Sequence, residues 1–278
     1  MESTHGPQPL VTGRSRLYAI IGDPIEQVKS PEILNPIMSR AGTAAILVPM
    51  QIAPANLETA IRGIKAIGNF DGIVITVPHK MRMLALVDEV LPTGMRVGAI
   101  NAVRRQPDGR WVGDMFDGKG FVAGLRKHGH EPKGKRALLV GAGGAGSAVG
   151  YALAEAGVTR LTVRDADHAK AERLARGIAQ AFPAAGADVG LGAAAGYELV
   201  VNATPIGMAP GDPSPIDPTG FKPGMVVADV IILAHDTPLL AAARASGCAV
   251  LGGRPMTEGQ AEEMARFLGM TAGESLGV

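Results

Sequence analysis

Short apolar runs alternate with amphipathic segments along the chain from Leu17 onward. LYAIIG, AAILVPMQI and GIVITVP are rich in β-branched residues, which indicates buried strands. Helix-like segments, PEILNPIMSRAG and NLETAIRGIKAIG, lie between them. This βαβαβ order predicts a parallel or mostly parallel sheet with helices over its faces.

The pattern changes after the third strand and then resumes. MRMLALVDEV predicts a helix, VGAINAVRRQPDGRWVG predicts a hairpin turned at PDG, and residues 114–130 predict a helix that leaves the first domain. After the linker EPKGKR, a second βα series runs from ALLVGAGGAG to CAVLGG. A final helix, about Glu258 to Phe267, follows this series and could return to the first domain. The fold class is therefore α/β with two domains.

The composition of the chain limits the kinds of partner and the cellular compartment that we expect. The chain has 278 residues, enough for two compact domains, and its formal net charge of +1 gives no reason to expect a nucleic acid or an anionic membrane as partner. Its single cysteine, Cys248, fits a reducing compartment, and no apolar run reaches the length of a membrane span. Residues 1–13 resemble a disordered tail rather than a signal peptide. We expect a cytoplasmic protein, monomeric or homodimeric, that acts on a small molecule without a metal.

A glycine-rich turn follows the strand ALLV and precedes a helix-like segment. This context satisfies the G-x-G-x-x-G pattern, in which glycines permit the tight turn, the approach of a pyrophosphate and close helix packing. Unpaired N–H groups at the helix N-terminus favour the phosphates. The predicted dinucleotide loop comprises Gly141, Ala142, Gly143, Gly144, Ala145 and Gly146.

The next strand, RLTV, ends at Arg164 and Asp165, about twenty residues past the glycine loop. A carboxylate there can bind the ribose 2′-hydroxyl of NAD and would repel the 2′-phosphate of NADP. Arg164 could instead hold that phosphate. Strand alternation turns the two side chains to opposite sides, and the charge of Asp165 favours NAD over NADP.

A lysine ends the buried strand GIVITVPHK. Lys80 is either a solvated charge past the strand end or a proton-transfer group at the edge of a cleft, and the strand alone leaves both open. Eight motifs in order resemble the shikimate dehydrogenases and their quinate-oxidising relatives, over about residues 18–267. The motifs are YAIIGDPIEQVKSP, ITVPHK, GAINAV, GDMFDGKG, GAGGAG, VNATPIGM, ADVI with DTPLL, and GGRPMTEGQA.

This resemblance implies a substrate domain with a mostly parallel sheet, residues 14–113 plus 254–278, and a Rossmann-type NAD(P)-binding domain, residues 114–253. Catalysis would take place in the cleft between them. Lys80 matches the catalytic lysine of the family and Asp117 its partner aspartate. Oxidation of a secondary alcohol removes a hydroxyl proton as well as a hydride, and a lysine amine oriented by a carboxylate can take that proton.

The resemblance also assigns binding residues. The substrate contacts are Ser30, Thr76, Asn101 and Gln260, together with Val28 in the loop after the first strand. The loop over the nucleotide contains Asn202, Ala203 and Thr204, and Met208 and Gly253 would lie near the nicotinamide. Many NADP-using members have Asn-Arg-Thr where this chain has Asp165, Ala166 and Asp167, which again favours NAD.

The substrate side departs from the family pattern at several positions. The family has Ser-x-Ser where this chain has Val28, Lys29 and Ser30, so one donor to the substrate carboxylate is missing. Lys29 could meet that carboxylate as a point charge. Apolar residues also replace polar ones elsewhere, with Val74 for Asn, Phe116 for Thr and Ile232 for Tyr. These changes put the identity of the substrate in doubt, because buried polar groups give such sites their specificity.

The function that these motifs favour is reversible hydride transfer between a nicotinamide cofactor and a ring alcohol such as shikimate, quinate or a close analogue. Two alternatives remain open at this point. One is a ligand-sensing or regulatory protein on the same fold with weak turnover, although a sensor has no need for both Lys80 and Asp117. The other is an enzyme similar to methylene-tetrahydrofolate dehydrogenase, which the motif order fits less well.

Overall fold

The computed structural model describes residues 11–190 and 193–271, so residues 1–10 of the predicted tail lie outside it. Within this part the chain forms two compact units. The first unit contains residues 11–116 and 261–271, and the second contains residues 117–190 and 193–260. The expected division after residues 113 and 253 differs slightly from the observed one, which falls after Phe116 and after Gln260.

The first unit is built on a mixed six-stranded sheet in the order β2-β1-β3-β5-β6-β4. Its strands are β1 (Arg16–Gly22), β2 (Ala45–Gln51), β3 (Phe70–Ile75), β4 (Glu89–Val90), β5 (Ala102–Arg105) and β6 (Trp111–Asp114). β1 pairs in parallel with β2 and β3, whereas β5 is antiparallel to β3 and β6. The predicted hairpin β5–β6 is confirmed, and Gly109 at its turn has a φ of 89°.

Helices cover both faces of this sheet because its inner strands are apolar on both sides. They are α1 (Ser30–Arg40), α2 (Leu57–Lys65) and α3 (Pro92–Val97). Ile20 of β1 belongs to the core cluster that contains Leu34 of α1, and the next residue, Ile21, belongs to the cluster that contains Leu57 and Ile61 of α2. This alternation is the two-residue period of a strand.

The predicted helix over MRMLALVDEV is wrong. The segment forms a short 3-10 helix, Arg82–Leu86, and then enters β4, which pairs in parallel with β6. Asp88 fixes this pairing, since its N–H donates to the Trp111 carbonyl at 2.8 Å and its Oδ2 accepts the Trp111 N–H at 2.7 Å. Long-range strand pairing therefore outweighs the local helical periodicity. This pairing cannot be recognised from the spacing of residues in the sequence.

The second unit has a wholly parallel sheet in the order β9-β8-β7-β10-β11-β12. Its strands are β7 (Arg136–Val140), β8 (Arg160–Arg164), β9 (Ala187–Val189), β10 (Leu199–Asn202), β11 (Val226–Asp229) and β12 (Ala249–Leu251). Its helices are α4 (Asp117–Lys127), α5 (Gly144–Glu155), α6 (His168–Ala181), α7 (Pro238–Ala245) and α8 (Arg254–Phe267), the last of which crosses the boundary between the units. In chain order the strands lie 3-2-1-4-5-6, the doubly wound arrangement that binds dinucleotides where β7 and β10 meet. The predicted fold class is confirmed.

Candidate active site

The glycine turn after β7 is shaped by close backbone contacts. Gly141 has a φ of 107°, and a Cβ there would lie 2.7 Å from the Ala203 carbonyl. A Cβ on Gly146 would lie 1.9 Å from the Gly141 carbonyl oxygen, whereas Gly143 faces open space. The first and third glycines of the motif are therefore required by the fold, and the second leaves its backbone accessible to a ligand.

This turn fits a dinucleotide. It connects β7 to α5, which is twelve residues long and begins at Gly144. Backbone hydrogen bonds hold its base, from the Gly141 N–H to the Arg164 carbonyl and from the Ala203 N–H to the Val140 carbonyl, each at 2.7 Å. A helix N-terminus behind an open glycine presents N–H groups and a favourable macrodipole to a pyrophosphate.

Two acids after β8 have structural roles that the sequence did not reveal. The Asp165 carboxylate accepts the Ala142 N–H at 2.7 Å and the Asp167 N–H at 2.9 Å. Asp167 caps α6, where its side chain accepts the Lys170 N–H at 3.3 Å. The Arg164 guanidinium does not pair with these two acids and donates instead to the Pro215 carbonyl. Because both carboxylates serve the backbone, their charge is a poor guide to the phosphate content of the cofactor.

The loop after β10 is organised around Asn202, whose side chain is fully buried. Its Nδ2 donates to the Ile206 carbonyl at 3.2 Å and to Asp229 Oδ1 at 3.1 Å. Its Oδ1 accepts the N–H and the hydroxyl of Thr204 at 3.0 and 2.7 Å. The structure thus gives Asn202 a role inside the predicted nucleotide loop.

Asp229, at the end of β11, was not singled out from the sequence, although its motif ADVI was noted. It is buried, and its carboxylate accepts hydrogen bonds from Asn202, the Ile231 N–H and the Thr237 hydroxyl. Burial raises the pKa of the Asp229 carboxyl, and the three hydrogen bonds only partly oppose this. The contribution of Asp229 to the free energy of unfolding is therefore greatest below its unfolded pKa and decreases as the pH rises through the raised folded pKa.

Two further predicted cofactor residues lie at the same edge of the second unit. Met208 is exposed, which leaves its thioether accessible beyond the nucleotide loop. A Cβ on Gly253 would lie 2.3 Å from the Val230 carbonyl oxygen, so only glycine fits between β12 and α8. Both positions remain predicted contacts of the nicotinamide.

In the first unit, Lys80 stands at the end of a well-anchored loop after β3. The Thr76 N–H donates to the Ile21 carbonyl at 2.9 Å, and the Lys80 carbonyl accepts the Ile100 N–H at 3.0 Å. The Val77 carbonyl accepts the Asp23 N–H at 3.0 Å. These bonds join the loop to two distant segments, residues 21–23 and Ile100, so the backbone that carries the lysine has a fixed position.

His79 provides a further anchor that sequence reasoning missed. Its ring is fully buried, and Nε2 lies 2.7 Å from the Ile52 carbonyl oxygen. A carbonyl can only accept, so Nε2 carries a proton and donates it to this carbonyl. A histidine one residue before the predicted catalytic lysine was the available signal, but nothing in the sequence identified Ile52 as its partner.

Three other predicted residues are buried polar groups. Asn101 is 2% exposed, and its Oδ1 accepts the Phe116 N–H at 2.9 Å, just before Asp117. Asp117 is also 2% exposed and is the first residue of α4. Gln260 of α8 donates to Asp117 Oδ1 at 3.3 Å. The second unit thus brings Asp117 and Gln260 together.

The predicted substrate loop precedes α1. Ser30 is the first residue of that helix, and Val28 is half-buried against the core cluster of β1 and α1. Lys29, proposed as a contact for a substrate carboxylate, forms an ion pair with Glu32 at 2.8 Å on the surface. That ion pair uses one of the three N–H donors of its ammonium.

The four apolar residues that depart from the family pattern differ in their surroundings. Val74 and Phe116 are each 4% exposed and belong to one hydrophobic core cluster. Phe116 also packs against Phe267, with ring centroids 5.1 Å apart. Ile232 is half-buried in the second unit. Val74 and Phe116 therefore contribute to the core of the first unit, and the effect of the four departures on the substrate stays a prediction.

Two residues outside the site have local roles. Cys248 is buried, as expected for a small apolar residue, and burial raises the pKa of its thiol. His128 Nδ1 lies 2.9 Å from the Gly124 carbonyl oxygen at the end of α4. Across residues 11–190 and 193–271, no three His, Cys, Asp or Glu side chains form a group that could hold a metal ion. No helix in the same ranges has the length and apolar character needed to cross a membrane.

Known proteins resemble this chain over nearly its whole length. Residues 20–103 match the family model of the shikimate dehydrogenase substrate binding domain. The shikimate dehydrogenase (NADP(+)) of Rubrobacter xylanophilus is 37% identical over 265 residues, which cover 93% of this chain and 92% of the relative. A solved shikimate dehydrogenase in complex with NADP+ superimposes with a TM-score of 0.84 at 28% identity, covering 95% of this chain and 93% of the other.

A second solved structure, shikimate 5-dehydrogenase from Thermus thermophilus in complex with NADP(H) and shikimate, has a TM-score of 0.80 at 30% identity. The superposition covers 91% of this chain and 93% of the Thermus thermophilus chain. These relatives overturn the expectation of NAD. Curated relatives at 35–39% identity carry the name shikimate dehydrogenase (NADP(+)). The inference from the charge of Asp165 and Asp167 was wrong, because structural hydrogen bonds to backbone N–H groups account for both carboxylates without a ribose hydroxyl.

The comparisons also decide between the functional alternatives left open by the sequence. Neither a sensor with weak turnover nor an enzyme similar to methylene-tetrahydrofolate dehydrogenase is favoured, because the relatives named above are shikimate dehydrogenases. The family model and the relatives agree with the eight motifs and with the doubly wound second unit. The chain belongs to the shikimate dehydrogenase family and is an oxidoreductase of that type.

Proposed function

We propose that this protein transfers a hydride reversibly between NADP and shikimate, with 3-dehydroshikimate as the oxidised partner. The observation that carries the proposal is the relative from Rubrobacter xylanophilus, named shikimate dehydrogenase (NADP(+)), which aligns with 93% of this chain. Quinate is a second candidate substrate because a quinate dehydrogenase from Corynebacterium glutamicum is 33% identical to this chain, with a TM-score of 0.79. A cytoplasmic location and a monomeric or homodimeric state stay predictions.

The residues with the catalytic roles are Lys80 and Asp117. Bound NADP supplies a nicotinamide ring that accepts the hydride at C4. Lys80, in its neutral form, takes the proton from the substrate hydroxyl, and the Asp117 carboxylate orients the ammonium that results. The anchored backbone around Lys80 supports this role, because a proton acceptor must stay within hydrogen-bonding distance of the alcohol.

The proposed binding residues divide between the two units. Ser30, Thr76, Asn101 and Gln260 contact the substrate, with Val28 beside them. The glycine turn, residues 141–146, holds the pyrophosphate, and Met208 and Gly253 face the nicotinamide. Ala203 and Thr204 cover the nucleotide. Lys170 is a basic residue of the segment that would face the 2′-phosphate, where Ala166 stands in place of the arginine of the family pattern.

Initial rates test this proposal. Oxidation of shikimate and of quinate would be followed at the nicotinamide absorbance with NADP and with NAD, in wild-type protein and in Lys80→Ala. We expect shikimate with NADP to give the highest kcat/KM, and Lys80→Ala to lower kcat by about 10² to 10⁴-fold, the usual range for a proton-transfer residue. NADP affinity, measured by calorimetry, should not change.

Lys65→Ala is the matched control, since Lys65 lies in the same unit and pairs with Asp88 at the surface. It should keep wild-type kcat. Turnover of Lys80→Ala within threefold of wild type would exclude the proposed role of the lysine. Failure of wild-type protein to oxidise either acid would exclude the proposed substrate class.

A further inference from the structure

A buried polar network lies at the carboxyl edge of the parallel sheet in the second unit. Asn202 ends β10, Asp229 ends β11, and Thr237 immediately precedes α7. Their exposed fractions are 0%, 1% and 2%. The three side chains are joined by direct hydrogen bonds, so the network connects the ends of two neighbouring strands to the start of a helix.

Asn202 has no hydrogen-bonding capacity left for a cofactor. A side-chain amide has two N–H donors and an oxygen with two lone pairs. Nδ2 donates to Ile206 and to Asp229, and Oδ1 accepts twice from Thr204. All four capacities are used within the protein. The amide therefore determines the shape of residues 203–208, and any contact with a nucleotide must come from other atoms of that loop.

Asp229 links this loop to the next one. Its Oδ1 accepts from Asn202 Nδ2 and from the Ile231 N–H at 3.0 Å. Its Oδ2 accepts the Thr237 hydroxyl at 2.8 Å. Thr237 in turn caps α7, where its Oγ1 accepts the Leu240 N–H at 3.4 Å. One carboxylate thus fixes both loops that follow β10 and β11.

The unfavourable burial of the Asp229 carboxylate indicates that this residue has a role other than stabilising the fold. Burying an ionisable group is unfavourable unless its hydrogen bonds compensate, and here desolvation outweighs them. A buried polar group that does not favour folding through its charge can still specify one geometry, because every partner must be in place at once. Residues 203–208 follow β10, beside the glycine turn, where doubly wound sheets bind dinucleotides.

We propose that Asp229 is a positioning residue that acts through Asn202, holding loop 203–208 in the conformation that binds NADP. This inference rests on the proposed function, since it assumes that NADP binds at this edge. It assigns Asn202 and Asp229 to the support of the site, and it leaves cofactor contacts to the backbone of the loop and to the glycine turn.

Two substitutions at Asp229 separate geometry from charge. Asp229→Asn keeps an oxygen for Asn202 and Ile231 and offers an N–H to Thr237 Oγ1, whereas Asp229→Ala loses all three bonds. By calorimetry, we expect the NADP Kd to rise about tenfold or more in Asp229→Ala, the effect of losing more than about 1.4 kcal/mol, and to stay within about threefold in Asp229→Asn. The shikimate KM at saturating NADP should change by less than about twofold in both, because only cofactor binding is affected.

Thr162→Val is the control for general loss of stability. Thr162 is 2% exposed in β8 and donates to Asp188 Oδ1 at 2.6 Å. This variant should lower the Tm as Asp229→Ala does, but it should leave the NADP Kd unchanged. A Tm loss without a change in NADP affinity in Asp229→Ala would overturn the inference.

A second variant keeps the test decisive if Asp229→Ala fails to fold. Thr237→Val removes one bond of the network, and Thr237→Ser keeps it. The NADP Kd should rise severalfold in the first and recover in the second, and equal affinities in both would overturn the inference. If wild-type protein itself shows no NADP binding, the proposed cofactor fails, which is a different result.

Discussion

The glycine turn of the second unit and the lysine loop of the first occupy equivalent places. Each follows the carboxyl end of a buried inner strand, β7 for residues 141–146 and β3 for residues 76–80. Each carries atoms that we propose to act in catalysis or binding. The two loops differ in what holds them, and this difference determines how each responds to substitution.

A steric contact within a short stretch of chain shapes the glycine turn, in addition to the hydrogen bonds that join its base to Arg164 and Ala203. Gly146 packs its Cα against the carbonyl oxygen of Gly141, five residues earlier, with no room for a methyl group. The lysine loop depends instead on partners far away in sequence, namely Ile21, Ile52 and Ile100. Added atoms should therefore damage the glycine turn most, and lost anchoring bonds should damage the lysine loop most.

Gly146→Ala should have the largest effect. Its Cβ would lie 1.9 Å from a backbone oxygen, so the helix or the turn must move. We expect the free energy of unfolding to fall by about 3 kcal/mol, the upper range for overpacking, with a weaker NADP affinity. Urea denaturation and calorimetry measure the two quantities.

Gly143→Ala is the matched control in the same turn. Gly143 is the N-cap of α5 and has open space where a Cβ would lie, so alanine should lower the free energy of unfolding by no more than about 1 kcal/mol, since alanine caps a helix less well than glycine. NADP affinity should still fall by about tenfold, because the methyl group would occupy the path of the pyrophosphate. Equal loss of stability in the two variants would contradict the steric account.

His79→Leu tests the lysine loop. It removes the donor to the Ile52 carbonyl and should lower the free energy of unfolding by about 1 to 3 kcal/mol, the usual cost of a buried group left unpaired. We also expect kcat to fall by about tenfold, since a small displacement of Lys80 weakens proton transfer. Steady-state kinetics with shikimate and NADP measure this effect.

His79→Gln is its conservative partner, because the glutamine amide can offer an N–H near the position of Nε2. It should recover much of kcat, and the NADP Kd should be unchanged in both variants, since His79 belongs to the first unit. A wild-type kcat in a folded His79→Leu protein would show that the loop does not need this anchor.

The same difference explains what could be predicted from the sequence. The glycine turn, the hairpin at PDG and the second βα series depend on local sterics and short-range periodicity, and all three are confirmed. The segment Arg82–Leu86 was predicted as part of a helix, because the pairing of β4 with β6 involves residues far along the chain. Long-range pairing leaves no local pattern.

Side chains whose hydrogen-bond partners lie far along the chain were harder to predict. His79 and Asp229 have partners that sequence spacing does not identify. The NAD prediction failed for the same reason, since it treated Asp165 as a free charge although its oxygens bind the N–H groups of Ala142 and Asp167. Motif order was more informative than charge, because it depends on the whole chain rather than on one side chain.

Val28→Ser should have the smallest effect and extends the comparison to a second loop of the first unit. Serine restores the hydroxyl that the family pattern has at this position, and one added hydrogen bond of about 1 kcal/mol would lower the shikimate KM about fivefold. Val28→Ala is the matched control, because it loses the same contacts with the core cluster of β1 and α1 but adds no hydroxyl. Both variants should lose similar stability, and only the serine variant should lower KM. Equal KM values in the two would mean that position 28 does not contact the substrate carboxylate, and that the first unit recognises its substrate through Ser30, Thr76 and Asn101 alone.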